Sequence, residues 1–177
     1  RPDLTPRVQD DLPVFQYHPS KQNFQQRSGS DRYCGQGGLM TTTLHIYLGY
    51  RDAPAAIDWL GRVLGFEATM SSPDEDGEIA HSELRRGEAA IIVFTDRVGY
   101  ERAPRRGETS GSGCYLAVDA EAEVDGLYER AVGSGAVVVW KPERTEWGNY
   151  RTRVLDPEGF EWTVSTHRPG LPAVWEG

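Results

Sequence analysis

The sequence predicts an α+β protein made of two copies of one βαβββ unit. Residues 47–65 (YLGYRDAPAAIDWLGRVLG) and 115–135 (YLAVDAEAEVDGLYERAVGSG) follow the same plan. Each is an apolar strand run ending at an aspartate, then a helix with one apolar stripe, then a glycine stop. Asp52 and Asp119 lie 67 positions apart. Such internal repetition fixes architecture ahead of any propensity argument, and two copies predict a paired module, not a solenoid. Three short strand runs follow each copy, and a polar segment rich in Gly and Pro, residues 97–112, separates the two.

The first module spans 41–96. Thr43–Arg51 alternates as a strand, with Leu44, Ile46 and Leu48 on one face and His45 and Tyr47 on the other. Asp52 is placed to cap the helix by accepting from the free amides of its first turn, and Pro54 suits that turn. Ala56, Ile57, Leu60, Val63 and Leu64 form the buried stripe, and Gly65 ends the helix. Strands are predicted at Phe66–Ser71, Glu78–Arg86 and Ala89–Thr95, with turns at 72–77 and 86–88. Residues 97–112 form the linker.

The second module, 113–168, repeats the order. Cys114–Val118 is a strand, Asp119 is the cap, and Val124, Leu127, Tyr128 and Ala131 make the helical stripe. Gly133 and Gly135 stop the helix. Strands follow at Ala136–Lys141, Tyr150–Leu155 and Phe160–Thr166, the last entered through the tight turn Asp156-Pro157-Glu158-Gly159. Residues 169–177 are a tail. Residues 1–39, rich in Gln, Ser, Pro and Gly, have no sustained period and read as an irregular extension. The alternative is an arm docking Phe15 and Tyr17 on a neighbouring surface. Met40 stands immediately before the first strand.

Composition narrows function. With 19 Lys and Arg against 27 Asp and Glu, the net charge is −8, which argues against non-specific nucleic-acid binding. No run approaches the roughly 20 apolar residues that a membrane span needs, and no secretory leader is visible. Cys34 and Cys114 are too few and scattered for a disulfide framework or zinc knuckle, so a reduced cytoplasm is expected and Cys114 reads as a buried small hydrophobe. No Gly-rich phosphate loop, Ser/His/Asp order or Cys/His cluster is present.

The duplicated unit resembles the glyoxalase/bleomycin-resistance/extradiol-dioxygenase (vicinal oxygen chelate) superfamily. The two strand–Asp–helix segments, Trp147-Gly148-Asn149-Tyr150-Arg151 and the turn Asp156–Gly159 before the last strand carry the resemblance. It covers Thr41 to about Arg168. It implies two sheets paired into an incomplete barrel around a cavity, with helices outside, in a homodimer that takes a small molecule. In the metal-dependent relatives, ligands stand on cavity-facing strand positions. Carried over, these fall on His45, at or near His81, on Gly113 and on Thr163. Glycine has no donor and a threonine hydroxyl is a poor transition-metal ligand, while a catalytic site needs about three His or carboxylate ligands. Neither Glu83, beside His81, nor Glu161, beside Thr163, occupies such a position.

The chain is therefore read as similar to the metal-free bleomycin-resistance-type binders, with no cofactor and no catalytic residue assigned. Candidate ligand-binding residues are His45, Tyr47, His81, Glu83, Tyr115, Trp140, Trp147 and Thr163. His45 and His81 stand either as polar wall residues or as a hydrogen-bonding or acid/base pair. Trp140 and Trp147 stand as cavity walls or core, Trp162 as core, and Arg151 and Arg153 as a solvated pair. The alternative function is a lyase, isomerase or dioxygenase that holds a divalent transition metal with His45, His81 and a displaced carboxylate such as Glu83.

Overall fold

The computed structural model describes residues 43–170, and the described parts of both modules fall within one compact unit. The extension 1–39 and residues 171–177 of the tail lie outside the described residues. The first module runs β1 (Ile46–Tyr50), α1 (Ala53–Leu64), β2 (Glu67–Pro73), β3 (Ile79–Arg86) and β4 (Ala89–Thr95). The second runs β5 (Cys114–Ala117), α2 (Glu121–Gly133), β6 (Val137–Arg144), β7 (Tyr150–Leu155) and β8 (Glu161–Ser165). The order βαβββ, twice, is the predicted one, and two four-stranded sheets with two helices make an α+β fold that is not a closed barrel.

Each sheet has the order first, fourth, third, second: β1-β4-β3-β2 and β5-β8-β7-β6. The pairs β1–β4 and β5–β8 are parallel and the rest antiparallel. A parallel pair needs a long crossover. Here α1 and α2 begin those crossovers and cover one face of each sheet.

Local chemistry explains the boundaries. The Asp52 carboxylate accepts from Ala55 N at 3.0 Å, and Gly65 ends α1 in the left-handed region at φ 74°. Asp119 does not repeat the cap. Ala120 stands at the N-cap of α2 with no side-chain bond, and Asp119 pairs instead with Arg168. β1 starts three residues later than predicted, leaving Leu44 92% exposed ahead of the ladder.

The core lies between helices and sheets and is continuous across both modules. Ala53, Ala56, Trp59, Leu60, Val63 and Leu64 of α1 and Val124, Leu127 and Ala131 of α2 are buried. Trp59 belongs to this stripe as well, beyond the residues its periodicity predicts. Phe66 meets Trp162 with ring centroids 6.0 Å apart, and Tyr50 meets Phe160 edge-on at 4.7 Å. Each fully buried Leu or Val contributes about 1.5–3 kcal/mol relative to exposure. The modules are thus joined through the helix side of their sheets, and among the described residues no ladder joins one sheet to the other.

The Asp156–Gly159 turn reinforces that joint. Gly159 N donates to Asp156 O at 2.9 Å with φ 90°, as a tight turn requires. The Asp156 carboxylate, itself buried, accepts from Glu158 N, Phe160 N, the Trp162 indole and, across the modules, the Tyr50 hydroxyl at 2.7 Å. Burial pushes this carboxyl above its usual range, and the four donors pull it back. The Glu158 carboxylate bridges the same joint, accepting from Arg51 N and Asp52 N at 2.9 Å each and pairing with Arg102 at 3.0 Å.

Candidate functional site

The strand registers align two equivalent rows of side chains on the sheet faces away from the helices. In the first module, Tyr47 pairs with Ile92, Ile92 with Glu83, and Glu83 with Met70. In the second, Tyr115 pairs with Thr163, Thr163 with Arg153, and Arg153 with Trp140. Because strand side chains alternate between faces, these residues share one face, opposite Leu48, Val93, Leu84, Leu116, Val164 and Val154 in the core. Tyr47 is 74% and Tyr115 44% exposed, so both rows begin with an accessible aromatic ring.

This geometry revises the expected ligand set. Thr163 lies on β8 beside β5, so its counterpart in the first module lies on β4 beside β1. The registers make that counterpart Ile92, not His81. His45, two residues before Tyr47, corresponds to Gly113, two before Tyr115. The four equivalent positions therefore carry His45, Ile92, Gly113 and Thr163. A resident transition metal does not fit them. His45 is bonded through Nδ1 to Ala90 O at 3.2 Å and through Nε2 to the Thr43 hydroxyl at 2.8 Å. Thr163 takes a hydrogen bond at 2.8 Å from Arg153 Nε, so a guanidinium stands where a cation would bind.

His45, His81 and Glu83 are also not gathered. His45 borders Ala90, which pairs with Arg85, whereas His81 lies four residues from Arg85 along β3 and two strands from β1. At about 3.3 Å per residue and 4.8 Å per strand, the two rings are separated by well over the reach of one ion. His81 pairs instead with Glu83 at 3.1 Å, both partly exposed. Among the described residues no three His, Cys, Asp or Glu side chains form a metal-holding group. The same separation removes His45 and His81 as a joint acid/base pair.

Around the first row lies an open cavity of about 420 Å³, bordered by His45, Thr69, Glu83, Arg85, Ala90 and Ile92. The second row is closed by ion pairs. Arg153 is 16% exposed, not solvated as its sequence position suggested, and its guanidinium stacks on Trp140 with the carbon 3.7 Å from the ring centroid. Arg151 stacks on the same side chain at 3.9 Å and pairs with Glu143 at 2.8 Å. Arg153 pairs at 3.1 Å with Glu161, which is 4% exposed. Burial pulls Arg153 below its usual range and Glu161 raises it again, yet a guanidinium stays charged in either case. Trp140 is thus a wall residue of the open face, Trp147 is 62% exposed in the turn between β6 and β7, and Trp162 is core. Met70, Ile92 and Arg153 join the site, and the cross-strand register, which no fixed repeat spacing reproduces, is what locates their row.

The duplicated βαβββ modules thus each present an aromatic-led row on the sheet face away from the helices. The family model for the glyoxalase/bleomycin resistance protein/dioxygenase superfamily matches residues 42–164, and the chain belongs to that superfamily. Among solved structures, TioX from Micromonospora sp. ML1 is similar, with 28% identity, a TM-score of 0.57, and coverage of 72% of this chain and all of that one. A bleomycin resistance determinant encoded on transposon Tn5 has the same fold at 20% identity and TM-score 0.53, covering 72% and 99% of the two chains. An uncharacterized protein of Mycobacterium bovis is 27% identical over 64% of this chain and 75% of its own length.

Proposed function

We propose that the protein is a small-molecule binder that works without a resident metal, in the manner of the bleomycin-resistance-type members of its superfamily. The observation that carries this reading is the set His45, Ile92, Gly113 and Thr163 at the equivalent positions, with Arg153 bonded to Thr163. Sequestration needs only a complementary surface, and the rows offer one: Tyr47, Met70, Ile92, Tyr115 and Trp140 for contact, with Glu83 and Arg153 for orientation. We further propose a homodimer in which the first row of one protomer faces the second row of its partner, enclosing a planar, amphipathic, antibiotic-like ligand. The site of action proposed is the cytoplasm, where Cys114 stays a thiol.

Metal analysis of the purified protein tests the first part, with well under one equivalent of transition metal expected. One Ni, Zn or Fe per chain, lost in His45→Ala, would overturn it. Light scattering tests the dimer. A thermal-shift screen of planar antibiotics tests the ligand class, with hits expected to weaken in Tyr47→Ala and Trp140→Ala.

A further inference from the structure

The guanidinium of Arg153 is gripped by oxygens of β8 and of the linker. Its Nε donates to the Thr163 hydroxyl at 2.8 Å, and its Nη1 donates to Glu108 O at 2.7 Å and pairs with the Glu161 carboxylate at 3.1 Å. The linker fixes Glu161 in turn. The Thr109 hydroxyl donates to Glu161 Oε1 at 3.2 Å and Ser110 N to Glu161 Oε2 at 3.0 Å. Gly113 leaves room for that carboxylate, since a Cβ there would lie 3.0 Å from Glu161 Oε1. With Trp140 stacked against it at 3.7 Å, the Arg153 side chain has little rotamer freedom left to lose on meeting a ligand.

One nitrogen of this guanidinium is uncommitted. Nη2 makes no hydrogen bond to a described residue, and among those residues the one buried side-chain nitrogen or oxygen without a partner is Trp59 Nε1. Nη2 is therefore open to solvent, although the Arg153 side chain as a whole is only 16% exposed. Arg153 stands on β7, yet its guanidinium reaches Thr163 and Glu161 on β8. The next strand, about 4.8 Å further on, is β5, where Tyr115 pairs with Thr163 on the same face and is 44% exposed. An aromatic ring and a fixed N–H donor group thus stand side by side on the open face. A flat ligand can stack on Tyr115 while an oxygen at its edge accepts from Nη2. A bond to a charged donor is stronger than one between neutral groups, and a ligand lacking that oxygen would strip water from Nη2 without replacing its bonds.

On the binder reading proposed above, we infer that Arg153 Nη2 selects flat ligands bearing an oxygen acceptor, such as aromatic ketones, quinones and lactams, and that Glu161 is the positioning residue that aims it. Fluorene and 9-fluorenone, tricycles that differ by a carbonyl in place of a methylene, serve as probes in equilibrium dialysis against the full chain. Fluorene is the more apolar, so burial alone would favour it. Wild-type protein is expected to bind fluorenone about tenfold more tightly instead.

Arg153→Met combined with Glu161→Gln removes the guanidinium without stranding a buried carboxylate, and should bring the affinity ratio to about one. Glu161→Gln alone keeps the donor but loosens its aim, and should lower the ratio to about threefold. Tyr115→Ala should weaken both probes alike and keep the ratio, because stacking does not distinguish them. A general loosening of the fold acts on both probes, so the ratio separates hydrogen bonding from a merely structural effect. Equal binding of the two probes by wild-type protein would overturn the assignment and leave the binder reading standing. So would a tenfold ratio retained in a double variant with the wild-type circular dichroism spectrum. Failure of wild-type protein to bind fluorenone would overturn it as well, while the antibiotic screen decides the binder reading separately.

Discussion

At the scale of single residues, two buried tryptophans differ in what their indole nitrogens meet. Trp59 Nε1 is buried with no hydrogen-bond partner, whereas Trp162 Nε1 donates to Asp156 at 3.2 Å. An unmade bond already carries its desolvation cost. Trp59→Phe should therefore cost less stability than Trp162→Phe, by about 1–2 kcal/mol, since the latter removes a donor from a buried carboxylate. Urea denaturation of the two variants checks the order. Cys114 gives a pH prediction. Burial first, then the charges of Asp156 and Glu161, push its thiol up to about 12. It should resist iodoacetamide at pH 8 in native protein and react quickly once unfolded, as read by peptide mass mapping. A raised thiol pKa means the folded state keeps its proton longer than the unfolded chain. This contribution to stability is intact below the unfolded value, about 8.5, and falls as pH climbs from there towards 12.

At the scale of elements, the two helices repeat in sequence but not in capping. Asp52 accepts from Ala55 N, and Asp119 caps nothing because the helix starts one residue further on, behind Ala120. Asp52→Ala is predicted to cost about 1 kcal/mol, the usual loss of an N-cap. Asp119→Ala removes only an exposed pair with Arg168, worth about 0–1 kcal/mol at a surface. Thermal unfolding of both variants separates them. The sheets show a related asymmetry. Tyr47 and Tyr115 are 68 positions apart, but Glu83 and Arg153 are 70 and Ile92 and Thr163 are 71. Unequal loops shift the offset, so a fixed spacing misplaces later strands. The expected later-strand position, at or near His81, lies on β3, whereas the register makes Ile92 of β4 the counterpart of Thr163.

At the scale of the molecule, one core serves both modules. Tyr50–Asp156, Arg102–Glu158, Phe66–Trp162 and the bond from Arg130 Nε to Val63 O at 3.0 Å all cross between them. Residues 43–170 should therefore unfold in one cooperative step, as domains with a shared core do. In Trp162→Phe and Trp59→Phe proteins, fluorescence and far-ultraviolet circular dichroism should give coincident urea transitions. Separate transitions for the modules would contradict the shared core.

Legible from the amino-acid sequence alone are the repeated βαβββ order, the strands Ala89–Thr95 and Tyr150–Leu155 to the residue, and most of the helical stripes, with Ala53 and Trp59 of α1 the exceptions. Those features rest on local periodicity and turn chemistry, which a few neighbouring residues encode. It also determined that Gly113 and Thr163 are poor metal donors, because that follows from side-chain type alone. Only the tertiary structure decided which residues share a row. Register is set by pairing across strands dozens of residues apart, and a two-residue displacement moves a side chain along the sheet by about 7 Å while leaving it on the same face. For the same reason the alternation of Arg151 and Arg153 suggested solvent, while the packed sheet placed Arg153 between Trp140, Thr163 and the buried Glu161.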